Sequence, residues 1–418
     1  MDFAHAARPK GARRRPQRPP QSLRTGAQGR VRLTRRALIS ALTIGVAAIA
    51  LAACGSSSSS SSASSSGSGS SGTSSSVSAT ASGQSAAAAN AILAPYADGP
   101  SAFPVTQKLA KRPVGDHIIY VSAGTPVSQQ SYQAMIPAAK TLGVNMTEVN
   151  AGSSASTVGS AFDTVLSEHP AAIVVNAIDI DLWAAQLKKI QAAGTKVVSN
   201  GVFGLEKYGV PSPTLAEPFF TEVGKLDAAY VAANYGQKAS IVFYTVPALQ
   251  LTGYELTAFE AELAKLCPDC TTRVVQIDIA TLGNTSATTI ANDLEAHPTT
   301  KVAVFSADEM ALGLTAAERA AGVSGVKTIG NLPTSSNFAQ LQDGTETAAV
   351  GFDVPILGWM QLDQAAREID GQALSGPEAK GFLDMQILTK SNLKNVTNGI
   401  WTGYPDFVTR FKTLWGVS

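Results

Sequence analysis

Leu166-Ser-Glu-His169-Pro170 runs into Ala-Ala-Ile-Val-Val-Asn-Ala-Ile-Asp179, and Leu294-Glu-Ala-His297-Pro298 runs into Thr-Thr-Lys-Val-Ala-Val-Phe-Ser-Ala-Asp308. In both stretches a histidine ends a helical run, where its charge suits the helix dipole. Proline then stops the helix, and a short β-rich run follows. The unit is used twice. Strand starts at 117, 144, 171 and 196 recur at 240, 272, 301 and 326, an offset of roughly 123–130 residues. Two similar lobes are the economical reading, with both histidines as helix caps rather than catalysts.

The rest of the chain from His117 onward fits this frame. Strands are expected at 117–123, 144–149, 171–177, 196–200, 240–246, 272–278, 301–306, 326–330, 347–352 and 382–388. Several are rich in Val and Ile and lack in–out alternation, as parallel strands buried on both faces do. Helical stretches at 180–193, 253–266, 286–296 and 355–370 separate many of them. Alternation of this kind predicts an α/β protein, its parallel sheets wound by right-handed crossovers.

Three stretches add a resemblance: Ile173-Val-Val-Asn176-Ala-Ile-Asp179-Ile-Asp181, Ala193-Gly-Thr-Lys-Val-Val-Ser-Asn200 and Ala307-Asp308-Glu309-Met310-Ala311-Leu312-Gly313. Through them, residues 116–375 resemble the type I periplasmic binding proteins of the ribose and galactose type. The resemblance implies two flavodoxin-like lobes joined by a three-strand hinge, closing on a ligand. Hinge crossings would fall near Phe219–Glu222, Gly351–Val354 and Gly381–Leu383. Lobe 1 is then 116–220 plus 353–381, and lobe 2 is 221–352 plus 382–418.

Ligands of open parallel sheets bind beyond the carboxyl ends of the strands. The candidate ligand residues there are Thr125, Gln129, Gln130, Asn176, Asp179, Asn200, Phe203, Asn331, Phe352 and Asp353. Glu255 joins them because it stands where the resemblance places an arginine. Of the family's sugar-binding set only Asn176 agrees. No aromatic follows the first strand before Tyr132, Ala307 replaces an asparagine, and Asn331 stands where an aspartate is expected. Each lost charge-assisted bond forgoes about 1.5–3 kcal/mol. Amides and acids without arginines favour a neutral or cationic ligand. Asp308 reads as the cap of a helix over 309–320, and Asp179 and Asp181 have a similar capping role open to them. Trp183 and Trp359 fit core or pocket equally.

Upstream of the head lies a leader. Residues 1–36 hold eleven of the 32 Lys and Arg and one acid, Asp2, leaving 21 basic against 30 acidic residues beyond them. An acidic head argues against nucleic-acid binding, which needs a basic face. Ala37–Ala50 is apolar and uncharged, then Leu51-Ala52-Ala53-Cys54-Gly55 follows. Fourteen helical residues rise about 21 Å, short of a bilayer core of about 30 Å. Residues 1–53 therefore read as a secretory signal. The stretch ending at Cys54 resembles a lipobox, which implies acylation of that cysteine and anchoring on the outer face of the cytoplasmic membrane. Thr34-Arg35-Arg36-Ala37-Leu38 is similar to a twin-arginine signal, and a plain basic n-region fits equally. Translation from Val31 instead of Met1 would give a leader of ordinary length.

Residues 55–89 are Ser, Gly, Ala and Thr but for Val77 and Gln84. Such a stretch is expected to be a disordered tether spanning roughly 33 Å. Residues 90–115, with four prolines, read as an extended lead-in. With Cys54 lipidated, Cys267 and Cys270 remain in an exported domain, where a disulfide is the default.

No Gly-x-Ser-x-Gly elbow, P-loop or paired metal-ligand motif is present, and the sequence calls for no cofactor, metal or catalytic residue. The expected protein is a monomeric receptor lipoprotein. It binds a small molecule, carbohydrate-like by the resemblance, for an ABC permease, or reports that molecule to a membrane sensor.

Overall fold

The computed structural model describes residues 73–417, with side chains from Gly83 onward. The signal segment, Cys54 and the serine-rich stretch up to Gly72 lie outside the described residues. The chain runs through α1 (Thr73–Leu93), β1 (His117–Ser122), α2 (Pro126–Leu142), β2 (Asn145–Asn150), α3 (Ala155–Glu168), β3 (Ala172–Asn176), α4 (Ala184–Ala192) and β4 (Lys196–Asn200). Next come α5 (Glu217–Tyr235), β5 (Ser240–Thr245), α6 (Gln250–Leu266), β6 (Thr271–Gln276), α7 (Ser286–Ala296), β7 (Val302–Phe305), α8 (Leu314–Ala321), β8 (Lys327–Asn331), α9 (Ser335–Asp343) and β9 (Ala348–Gly351). It ends with α10 (Val354–Asp370), β10 (Gln386–Thr389), β11 (Val396–Thr397), β12 (Ile400–Trp401) and α11 (Phe407–Trp415).

The twin units form twin sheets. Lobe 1 carries the order β2-β1-β3-β4, all parallel, and lobe 2 repeats it as β6-β5-β7-β8 before adding β9 and an antiparallel β10. Burial explains why the inner strands read as unbroken apolar runs. All five residues of β3 and all four of β7 are buried, whereas the edge strands β2 and β6 alternate between exposed and half-covered positions. Helices cover both faces, as parallel sheets require.

Local chemistry sets the helix ends. Thr125 caps α2 by accepting from the Ser128 amide, and Pro126 occupies the first turn, where its missing N–H costs nothing. Asp353 caps α10 through the Ile356 amide. His169 and His297 stand at the C-caps of α3 and α7. Cys267 and Cys270 are joined in a disulfide.

Two expectations need correction. The segment expected as tether to residue 89 and as extended lead-in beyond it is helical over Thr73–Leu93. Its alanines are strong helix formers, and Ala89, Ile92 and Leu93 reach the main core. The C-terminal segment, assigned to lobe 2, returns to lobe 1. The Trp415 ring stacks on Trp359 of α10 at 5.1 Å, and its Nε1–H donates to Asp363 at 2.6 Å.

The lobes are thus joined by more than three crossings. Besides those near Ala216, Phe352 and Gly381, the chain crosses at 402–406 on its way to α11. It also crosses in the lead-in, where Tyr96 bonds Glu222 of α5 and the Gln107 carbonyl accepts from Arg367 of α10. The hinge is tightly built. The Ala216 amide donates to the Gly381 carbonyl at 2.7 Å. A Cβ on Gly381 would lie 2.5 Å from that of Ala216, and the residue holds φ at +62°. Among the described residues no helix is long and apolar enough to cross a membrane.

Candidate functional site

Between the carboxyl ends of the two sheets lies a cleft with about 630 Å³ of empty space, its mouth included. Lobe 1 lines it with the start of α2 and the residues after β3 and β4. Lobe 2 contributes the turn before α6, the turn after β7 and Leu332 after β8, and the hinge closes the back.

On the lobe 1 side the polar groups are linked. Asn200 Nδ2 donates to Asn176 Oδ1 at 2.7 Å, and Asn176 Nδ2 donates to Ser128 Oγ at 3.5 Å. Ser128 and Ser131 stand three residues apart on the inward face of α2 and are both buried. Behind them the Tyr120 hydroxyl is fully buried, and burial pushes its pKa far above the usual phenol range. Asn200 Oδ1 is buried without a partner.

From lobe 2, Glu309 reaches across. Its Oε2 accepts from the Val127 amide in the first turn of α2 at 2.8 Å. Burial pushes this carboxyl up to about 7, against the opposing pull of the Val127 amide and the Thr125 hydroxyl. At the rim, Gln250 of α6 donates to Asp179 Oδ2 at 2.7 Å, a second bond between lobes.

Two non-glycine residues on the cleft wall hold left-handed backbone: Ala177 at φ +54° after β3, and Leu332 at φ +59° after β8. Strain of this kind persists where surrounding structure fixes it, often at ligand sites.

Of the residues expected here, Thr125, Asn176, Asn200 and Phe352 line the cleft. Asp179 sits at the rim, capping the 3-10 turn Ile180–Leu182. Phe203 lines a separate, more open depression of about 970 Å³ with Tyr254 and Lys207. Gln129 points outward to Glu148 at 2.7 Å, and Gln130 lies outside the lining. Asn331 is turned away from the cleft, donating to Asp227 and to the Phe305 carbonyl. Glu255 is buried between α6 and α5 with both carboxyl oxygens unpartnered. Asp353 serves the hinge, accepting from the Ile356 and Tyr404 amides and from the Thr402 hydroxyl. Trp183, stacked on Phe162 at 4.4 Å, and Trp359 are core.

Sequence reasoning missed Glu309 because it expected a helix from 309. Gly313, at φ +85°, starts that helix at Leu314, so residues 308–311 form a 3-10 turn that carries Glu309 into the cleft. Asp308 caps nothing there. Its carboxyl is buried beside that of Glu346, and burial and this neighbour raise its pKa well above the usual range. Leu249, Leu251 and Leu332 were missed for want of any polar signal.

A profile of the periplasmic binding protein domain matches residues 115–373. The chain belongs to that family. A comparison with curated protein sequences finds no match. Among solved structures of this family's fold, the chain is similar to an ABC transporter solute-binding protein from Mycobacterium smegmatis with bound glycerol. The identity is 20%, the TM-score 0.58, and the match covers 69% of this chain and 99% of that one. It is also similar to a 5-methylthioribose transporter solute-binding protein from Thermotoga lettingae, at 17% identity and TM-score 0.60, covering 72% and 94%. A myo-inositol-binding protein from Caulobacter matches at 21% identity and TM-score 0.58, covering 68% and 96%.

Proposed function

We propose that this chain is the extracytoplasmic solute-binding component of an ABC importer, capturing a small uncharged sugar- or polyol-like molecule between its lobes. One observation carries the reading: the lining of a single cleft comes from both lobes, and Glu309 bonds across it to the helix that faces it. A solute held there contacts both lobes at once and so favours the closed state by the difference in its affinity for the two forms. The solved structures of this fold that hold glycerol, 5-methylthioribose and myo-inositol support the solute class. Among the described residues no lysine or arginine lines the cleft, which disfavours an anionic solute.

The chain acts by binding rather than by catalysis, and its partner is a membrane permease that reads the closed form. Acylated Cys54 would hold it on the outer face of the membrane. Uptake of the labelled solute by cells lacking the gene, against cells carrying it, tests the import role; unchanged uptake would sink it. Cys54→Ala should move the protein from the membrane fraction to the medium.

A further inference from the structure

The two walls of the cleft differ in kind. Ser128, Ser131, Asn176 and Asn200 give one side a continuous polar face, and Asn200 Oδ1 is buried there with no donor to satisfy it. Apart from Thr125 and Glu309, the remaining side chains are apolar, among them Phe220, Leu249, Leu251, Leu332, Phe352 and Leu357. Lobe 2 offers one charged side chain, Glu309, and its Oε2 is already taken by the Val127 amide.

A sugar hydroxylated all round cannot meet such a cleft evenly. Its hydroxyls on one side find Asn176, Asn200 and the serines, but those on the other are stripped of water against leucines. Each hydroxyl left so costs roughly tenfold or more in affinity. Each methylene placed there instead gains about fourfold. Leu332 argues in the same direction. Its backbone sits at φ +59°, where Asn or Gly is easier, so an apolar side chain is kept at this spot despite the strain.

We infer that the solute is a hydroxylated molecule with one apolar edge, such as a deoxy-, alkyl-, thioalkyl- or aryl-substituted sugar or polyol. Its hydroxyls face Asn176 and Asn200, and its apolar edge lies against Leu249, Leu251 and Leu332. This rests on the cleft being the solute site, and it narrows the solute class within that reading.

Calorimetric titration of the purified full-length chain with two matched pairs tests it: D-ribose against 5-methylthio-D-ribose, and myo-inositol against cis-1,2-cyclohexanediol. The less hydroxylated member of each pair should bind at least tenfold tighter. Leu332→Asn, which suits the left-handed backbone, should shrink that ratio at least fivefold. Asn176→Ala should weaken both members of a pair alike. Equal or tighter binding of D-ribose and myo-inositol overturns the inference and leaves the cleft reading standing. Binding by no member of either pair overturns both.

Discussion

The carboxylate of Glu309 in lobe 2 accepts a hydrogen bond from the backbone amide of Val127 in lobe 1, at 2.8 Å, and so fastens one lobe to the head of a helix in the other. The partial positive charge of a helix N-terminus favours an anion at this point, while burial opposes it. Burial prevails and lifts the carboxyl from its usual 4.5 to about 7. An acid whose pKa is raised on folding holds its proton more tightly in the folded chain. Its contribution to stability is therefore full below about 4.5 and is lost as pH rises through about 7. The melting temperature should fall between pH 5 and pH 8, and Glu309→Gln should flatten part of that dependence. Thermal unfolding at both pH values checks it; an unchanged slope in the variant would assign the effect elsewhere.

Lobe 2 buries four further carboxyls, Asp227, Glu255, Asp308 and Glu346, with no cation paired to them among the described residues. Burial raises Asp227, Glu255 and Asp308 well above the ordinary range and Glu346 to about 8. The folded state thus binds more protons than the unfolded chain between about pH 4 and pH 8, and stability must decline as pH rises across that window. The melting temperature should be several degrees higher at pH 5 than at pH 8. Glu255→Gln removes one ionisable group of the same shape, so it should raise the melting temperature at pH 8 and leave it nearly unchanged at pH 5.

Gly381 and Gly371 separate strain from collision. Both hold positive φ, but a Cβ on Gly371 meets nothing within 4 Å, whereas one on Gly381 strikes Ala216 and the Pro213 carbonyl. Gly371→Ala should cost about 1 kcal/mol. Gly381→Ala should cost about 2–4 kcal/mol and change the hinge. Urea unfolding gives the first comparison, and scattering with and without solute gives the second.

Trp415 fixes the last helix. Its ring packs on Trp359, and its indole N–H satisfies Asp363, which also bonds Arg367 at 2.6 Å in a fully buried pair. Trp415→Phe should cost about 1–3 kcal/mol through the unmet acceptor, and Trp415→Ala about 3–5 kcal/mol with the added cavity. If thermal unfolding shows both variants as stable as the parent, α11 is not held as described.

How far the sequence could be read depends on the kind of signal. The repeat around His169-Pro170 and His297-Pro298 marks strands whose burial on both faces leaves an unmistakable apolar run, and all ten expected strands are present, each end within four residues of its expected place. Asn176, Asn200, Thr125 and Phe352 were legible because position after a parallel strand sends a side chain toward the cleft. Asn331 follows the same rule and fails, since its amide is turned inward to buried Asp227, a partner some hundred residues away. Asp353 shows a similar conflict, its carboxylate being claimed by a helix start and by the amide of Tyr404. The leucines of the cleft were hidden, because an apolar residue in a pocket and one in a core look alike until the fold places them.

The crossings at the hinge have a mechanical consequence. With the lead-in and the 402–406 segment running beside the three expected links, the halves are bound like a book along its whole spine. Such a binding resists torsion and leaves one easy movement, the parting of the covers.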